Sequence, residues 1–374
     1  MNDAFISRPS QPFLNLPQWN DWQWQVLNQI TGVQDLDRWI SLSVEEKRAI
    51  QFSSGRFHFA LTPYWVSLMD PEDFLCPIRR QSVPLDEEFR MQQYEVTDFM
   101  SNGIKAANGR LLHSSADRAV LSVHSQCAVY CRFCPQRKMT EAAGSSLTDA
   151  EWREACSYLE KHPQIREVVI SGGEPLLLND DFLQRILTGF RSIPSIRTLR
   201  LETRVVSVLP QRITPNLAKI LRDAQPAYLV LHVNHPREIT REFGEACRLL
   251  SEHEVPLASE TVLLREINDK TAVLSELFYS LYERKVRPYR LRQSLPSQGT
   301  DHFRASITSG LRLAESLRAL LPGLALPEYV VETLGGKIPL RTESVLSRTR
   351  KRVILRNHEG KVFVYPEKIF QVPS

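Results

Sequence analysis

Cys127, Cys131 and Cys134 share one short run, Val123-His-Ser-Gln-Cys-Ala-Val-Tyr-Cys-Arg-Phe-Cys-Pro, with C-x3-C-x2-C spacing and Phe133 just before the last thiol. Three thiolates on one loop can hold three irons of a cubane iron–sulfur cluster and leave the fourth iron open to a small molecule. Zinc is the competing reading, but it normally takes a fourth protein ligand, and the nearest candidate, His124, falls on a predicted strand. A disulfide framework fits poorly, because Cys76, Cys156 and Cys247 are scattered and a chain of 374 residues needs no covalent staples. Spacing therefore favours a cluster over zinc or structural thiols. A second run, Ser171-Gly172-Gly173-Glu174-Pro175, pairs two glycines that let backbone approach a ligand closely with a carboxylate that can accept from an ammonium group. An ordinary βα turn is its plainer reading. Lys337, after Gly335 and Gly336, could form a Schiff base with pyridoxal phosphate (PLP). On pattern alone an exposed turn lysine is the commoner case, and the P-loop pattern is absent.

The elements around these residues are legible from periodicity. From residue 118 onward, short β-branched runs at 119–124, 167–171, 198–203, 227–233, 257–264 and 287–293 read as strands. Amphipathic stretches at 149–162, 181–193, 214–224, 238–252 and 271–284 read as helices between them. The alternation predicts an α/β fold with a parallel sheet, organised as a partial (β/α)6 barrel whose chemistry gathers at the C-terminal strand ends. The cysteine run follows the first strand and the Gly-Gly-Glu run the second. Residues 1–110 read as a helical extension, with helices over 19–30 and 35–39 and an S-x-x-E capping box at Ser43. Residues 111–327 then form the barrel. Residues 328–374 form a C-terminal segment, with a strand before Lys337 and a hairpin over 353–365 that turns near Glu359-Gly360 and caps the barrel.

Composition excludes more than it selects. Lys and Arg number 47 against 43 Asp and Glu, a net charge of +4 that argues neither for nor against a nucleic-acid partner; no long basic run appears, and no such partner is expected. No apolar run is long enough to span a bilayer and no signal sequence is apparent, so no membrane is expected and the location is read as cytoplasmic.

The cysteine segment resembles that of radical S-adenosylmethionine (SAM) enzymes, and longer stretches are similar to the lysine 2,3-aminomutase family. These are Val168-Val-Ile-Ser-Gly-Gly-Glu-Pro-Leu-Leu, Val208-Leu-Pro-Gln-Arg-Ile-Thr-Pro, His232-Val-Asn-His-Pro-Arg-Glu-Ile-Thr, Val262-Leu-Leu-Arg-Glu-Ile-Asn-Asp and Val353-Ile-Leu-Arg-Asn-His-Glu-Gly. The resemblance runs from about Trp19 almost to the C-terminus. It implies an isomerase that moves an amino group from the α- to the β-carbon of an amino acid, using a [4Fe–4S] cluster, SAM and PLP. Carried over, it makes Cys127, Cys131 and Cys134 the cluster ligands and Gly172, Gly173 and Glu174 the site of the SAM amino group. Arg204 becomes the partner of the SAM carboxylate, His232 a SAM contact, Arg118 a residue near the PLP phosphate and Lys337 the Schiff-base lysine. A small amino acid as substrate, a reductant such as flavodoxin or ferredoxin, and association into a homo-oligomer are implied in the same way.

Substrate-side positions depart from the family. Its substrate-gripping arginine, two residues past the last cysteine, is Gln136, with Arg137 and Lys138 following as candidate replacements. Its Arg-Tyr pair near PLP is Ser114-Ser115. The two aspartates that hold the distal ammonium in lysine-specific members are Leu295 and Glu332. The glycine loop before Lys337 is shorter, and a zinc-binding cysteine of some members is Lys270, so no zinc is expected. The expectation is an aminomutase whose substrate differs from free L-lysine. Two other readings stay open: a PLP-independent radical SAM enzyme acting on another substrate, and a non-catalytic iron–sulfur protein.

Overall fold

A computed structural model describes residues 16–53, 57–90, 92, 94–95, 104–105, 109–137, 145–333 and 336–367. Ten strands form one sheet in chain order: β1 (Ile104–Lys105), β2 (Leu111–Ser115), β3 (Arg118–His124), β4 (Glu167–Gly172), β5 (Thr198–Thr203), β6 (Ala227–His232), β7 (Leu257–Leu263), β8 (Arg287–Gln293), β9 (Glu328–Thr333) and β10 (Gly336–Pro339). From β3 to β9 every neighbouring pair is parallel. β1, β2 and β10 add antiparallel margins.

Helices Asp149–Lys161, Asp180–Arg191, Pro215–Asp223, Arg241–Glu252 and Thr271–Glu283 return the chain between parallel strands. Their starts are written in the sequence. Thr148 and Glu151 form a capping box, while Asn179, Thr214 and Thr240 each accept a backbone N–H of the first turn. Outward side chains of the strands, among them Leu121, Ile170, Leu201, Leu231 and Leu291, pack with Leu183, Leu217, Leu250 and Leu277 of these helices in one apolar core. Strand alternation turns the other set of side chains inward, and there the sheet carries Glu202, His232, Glu260, Arg290, Arg292 and Glu332.

The parallel sheet extends past the six units expected. Helix Ile307–Leu320 returns the chain to β9, a seventh parallel strand. β10 then pairs back so that Lys337 stands opposite Glu332. A separate antiparallel sheet of β11 (Val345–Arg348), β12 (Arg352–Arg356) and β13 (Val362–Pro366) contains the expected hairpin. Tyr365 ties it to the barrel, donating to the Ser294 carbonyl at 2.6 Å and accepting from Gln293 at 3.2 Å.

The N-terminal segment is helical in short pieces. The helix expected over 19–30 is a 3-10 turn, Pro17–Asn20, and an α-helix, Trp22–Leu27, because Asp21 caps the second piece by accepting from Gln23 N. The second expected helix is Val33–Leu36. The Ser43 box holds as written: Ser43 Oγ accepts from Glu46 N, and Glu46 accepts from Ser43 N at 2.9 Å. No helix among the described residues is long and apolar enough to cross a membrane.

Candidate active site

The three cysteines lie on the loop that leaves β3, and N-terminal residues brace it. Gln29 donates its amide to the carbonyls of Cys127 at 3.0 Å and Ala128 at 2.8 Å. Within the loop, Tyr130 N donates to Ala60 O and Arg132 N to Gln81 O. Glu88, fully buried, accepts from Arg132 Nε at 2.9 Å and Nη2 at 2.6 Å and pairs with Arg137 as well. Burial alone would raise the Glu88 pKa, but the two guanidiniums outweigh it and hold the carboxyl at about 2. Phe133 packs edge-on against Phe303 with ring centres 6.1 Å apart.

Burial pushes the Cys127 thiol well up and the Cys134 thiol to about 11, and the neighbouring thiols add to both shifts. Among the described residues no three His, Cys, Asp or Glu side chains close around a single ion. A cubane asks for something wider, since it spreads its thiolates over separate irons.

The Gly-Gly-Glu turn seats itself against this loop. Gly172 has φ +115°, a conformation suited to glycine, and a Cβ there would stand 2.8 Å from the His124 carbonyl. A Cβ on Gly173 would stand 2.4 Å from the Gln126 carbonyl, and Glu174 N donates to that same carbonyl at 2.8 Å. The close approach anticipated from these glycines is thus made to the backbone of the cysteine loop. Glu174 accepts from Thr203 Oγ1 at 2.6 Å, Arg204 N at 2.9 Å and Leu176 N at 3.2 Å. Burial pushes its carboxyl up to about 7, with those bonds pulling the other way. Arg204 follows β5, donates to the Cys131 sulfur and to Gln81 Oε1 at 2.7 Å, pairs with Glu238 at 3.5 Å, and its guanidinium stands 4.9 Å from the Trp65 ring centre and 5.3 Å from that of Phe133. Its Nε is buried with no hydrogen-bond partner.

From Arg204 a polar arc runs across the strand ends to Lys337. His232 and Glu260 face each other in register on β6 and β7. The His232 Nε2 is buried and unpartnered, and burial lowers its pKa while Glu260 and Glu202 oppose that. Arg292 bridges two acids, reaching Glu260 Oε1 at 2.6 Å and Glu332 Oε2 at 2.9 Å. Glu260 is thereby held well below the usual carboxylate range against its burial. Its other oxygen, Oε2, makes no hydrogen bond and stands 3.8 Å from Arg290 Nη1 and 3.9 Å from Lys337 Nζ. Burial depresses the Lys337 pKa, with Glu260 opposing. A lowered pKa favours the neutral amine, which is the form that attacks an aldehyde.

The remaining expected positions have these surroundings. Arg118 opens β3, at the end away from the cysteines, and pairs with Glu167, which also meets Arg200. Ser114 bonds the Arg118 carbonyl, and Ser115 bonds Asp117. Arg137 is buried on Glu88 and near the carbonyls of Gln298 and Gly299. Gln136 is half-buried, with its backbone N–H 3.4 Å from the Cys134 sulfur. Leu295 is buried in the loop after β8. Lys138 and Gly335 lie outside the described residues. Glu260, Arg290 and Arg292 were missed by sequence reasoning. Their signal was the Arg290-Leu-Arg292 alternation, which puts two cations on one face of a predicted strand.

Comparison with known proteins identifies the family. The family model described as Radical SAM superfamily matches residues 121–275, and the one described as Lysine-2,3-aminomutase matches 314–372. The chain is 36% identical to an L-lysine 2,3-aminomutase of Fusobacterium nucleatum, over 98% of this chain and 87% of that protein. It is 38% identical to an L-lysine 2,3-aminomutase of Bacillus subtilis, over 96% and 76%. A glutamate 2,3-aminomutase of Clostridioides difficile is 37% identical over 92% of this chain and 82% of that protein.

Proposed function

The chain belongs to the lysine 2,3-aminomutase family of radical SAM isomerases, and on that footing we propose that it moves an amino group from the α- to the β-carbon of an amino acid other than free L-lysine, held on PLP at Lys337. The observation that carries the PLP part is the Lys337 amine. Burial lowers its pKa, and it stands 3.9 Å from an acid oxygen that has no hydrogen-bond partner. Orphaned polar atoms of His232, Glu260 and Arg290 on the same face suit a ligand rich in phosphate, carboxylate and ring nitrogen.

On the other side, Cys127, Cys131 and Cys134 would hold the cluster, and Arg204, paired with Glu238 at 3.5 Å, would offer its unpartnered Nε–H to a carboxylate of SAM. When bound, the cluster and SAM supply a deoxyadenosyl radical, and PLP supplies a conjugated ring over which an unpaired electron spreads. The chain's own work is to bring the two together along the arc from Arg204 to Lys337 and to exclude water behind Phe133 and Trp65. Glu260 and His232 bridge the arc, and Arg292 fixes the Glu260 charge.

The altered substrate is supported by three positions. Gln136 offers an amide where the family carries a guanidinium, Leu295 is apolar and buried, and the surviving acid, Glu332, is engaged by Arg292 at 2.9 Å. An ammonium placed there would have to displace a guanidinium from a partly buried pair.

Anaerobic reconstitution with iron, sulfide, SAM and PLP, followed by a screen of amino acids for β-amino products, tests the reading. A β-amino product from an amino acid other than lysine is expected. Lys337→Ala should lose the visible absorbance of bound PLP and all turnover. Turnover of free L-lysine at the efficiency of its best substrate would overturn the altered-substrate part. PLP absorbance that survives Lys337→Ala would overturn the PLP part.

A further inference from the structure

An amino acid bound for this reaction brings a carboxylate one carbon from the migrating nitrogen, so a cation must stand close to Lys337. Position 136 supplies only an amide, and Arg137 is taken by Glu88. Arg292 is shared between Glu260 and Glu332. Arg118 and Arg200 pair with Glu167, at the start of β4.

Arg290 is different. Its side chain is 12% exposed, and its Nε and Nη1 are buried with no hydrogen-bond partner. Its nearest acid oxygen, Glu260 Oε2 at 3.8 Å, is the oxygen that lies 3.9 Å from Lys337 Nζ. Guanidinium and amine therefore bracket one atom. The Tyr289 ring under the Arg290 guanidinium, 4.1 Å from its centre, fixes the orientation of the group. Buried N–H donors are costly to leave unmade, and a carboxylate is the acceptor a guanidinium matches best.

We propose that Arg290 receives the carboxylate of the amino-acid substrate, taking over the task that the family gives to the residue at position 136. Arg292, Arg290 and Lys337 all stand within 3.9 Å of Glu260, and together they offset its repulsion of that carboxylate. The role rests on the reading of Lys337 as the PLP site.

The test uses PLP-loaded protein without SAM or reductant, so that binding is seen without turnover. The substrate found in the screen and its decarboxylated amine are each titrated against the PLP absorbance. The parent chain is expected to prefer the amino acid over the amine. Arg290→Gln should weaken the amino acid by about 10- to 100-fold, the value of a charge-assisted bond, and leave the amine unchanged. Arg290→Lys should recover part of the loss, which a merely structural role would not predict. PLP and pyridoxal are titrated in parallel. An amino acid to amine ratio unchanged in Arg290→Gln overturns the role while leaving the reading of the site intact. Weakened PLP with unweakened pyridoxal also overturns it, since Arg290 would then serve the phosphate. A parent chain that binds no PLP at Lys337 overturns the reading of the site and this role together.

Discussion

Glu88 has no place in any motif, yet two arginines of the cysteine loop close on its carboxylate inside the protein. Removing one partner of a buried pair strands the others, at a cost of about 3–5 kcal/mol. Glu88→Gln keeps the shape and removes the charge, so it should lower stability by about that amount at neutral pH and loosen the loop enough to reduce bound iron. The pH dependence has a definite sign. The folded pKa is about 2, below the ordinary 4.5. The unfolded chain therefore binds the proton first, and the contribution is complete above about pH 4.5 and fades as pH falls towards 2. Denaturant titrations of the two proteins should differ most at neutral pH and converge in acid. A constant gap down to pH 2 would mean that the carboxylate is not what Arg132 and Arg137 hold.

At the scale of elements, the βα turn and the cysteine loop are one packed unit rather than two adjacent motifs. A methyl group on Gly173 would stand 2.4 Å from the Gln126 carbonyl, and backbone on both sides must shift to admit it. Gly173→Ala should cost roughly 1–3 kcal/mol, as overpacking does, and should cut iron binding sharply. Gly323→Ala, where nothing lies within 4 Å of the new carbon, is the neutral control. Equal iron in both proteins would separate the turn from the loop. Sequence carried the local part of this unit well. Strands β5 and β8 run over the residues that alternation marked, and Thr148, Thr214 and Thr240 start helices where their side chains can cap. What periodicity does not encode is long-range pairing. Gln29 reaches a carbonyl 98 residues away with no local pattern to announce it. Helix Ile307–Leu320 and the parallel pairing of β9 went unread, because an apolar run does not say which neighbour it will join. The site was legible where chemistry is concentrated in one run. It was hidden where a single residue from each of several strands meets, as Glu260, Arg290 and Arg292 do.

For the whole molecule, three stretches far apart in sequence each supply one part of the site. Gln29, Ala60, Gln81 and Glu88 seat the cysteine loop. β5 to β8 carry the arc between the cysteine loop and Lys337. β10 delivers Lys337, and the C-terminal sheet beyond it is fastened by Tyr365 to the residues that end β8. Among the described residues no brace of the loop is shared with the fastening of Lys337, so cluster and PLP should be lost separately. Gln29→Ala removes two bonds to the loop, worth about 1–2 kcal/mol together, and should lower iron per chain while PLP absorbance stays at the parent level. Tyr365→Phe leaves the Gln293 amide and the Ser294 carbonyl short of a partner behind β8, at about 1–3 kcal/mol, and should weaken PLP while iron stays at the parent level. Iron and PLP measured on the same preparations decide the matter. If both fall together in either protein, the two halves are not fastened independently.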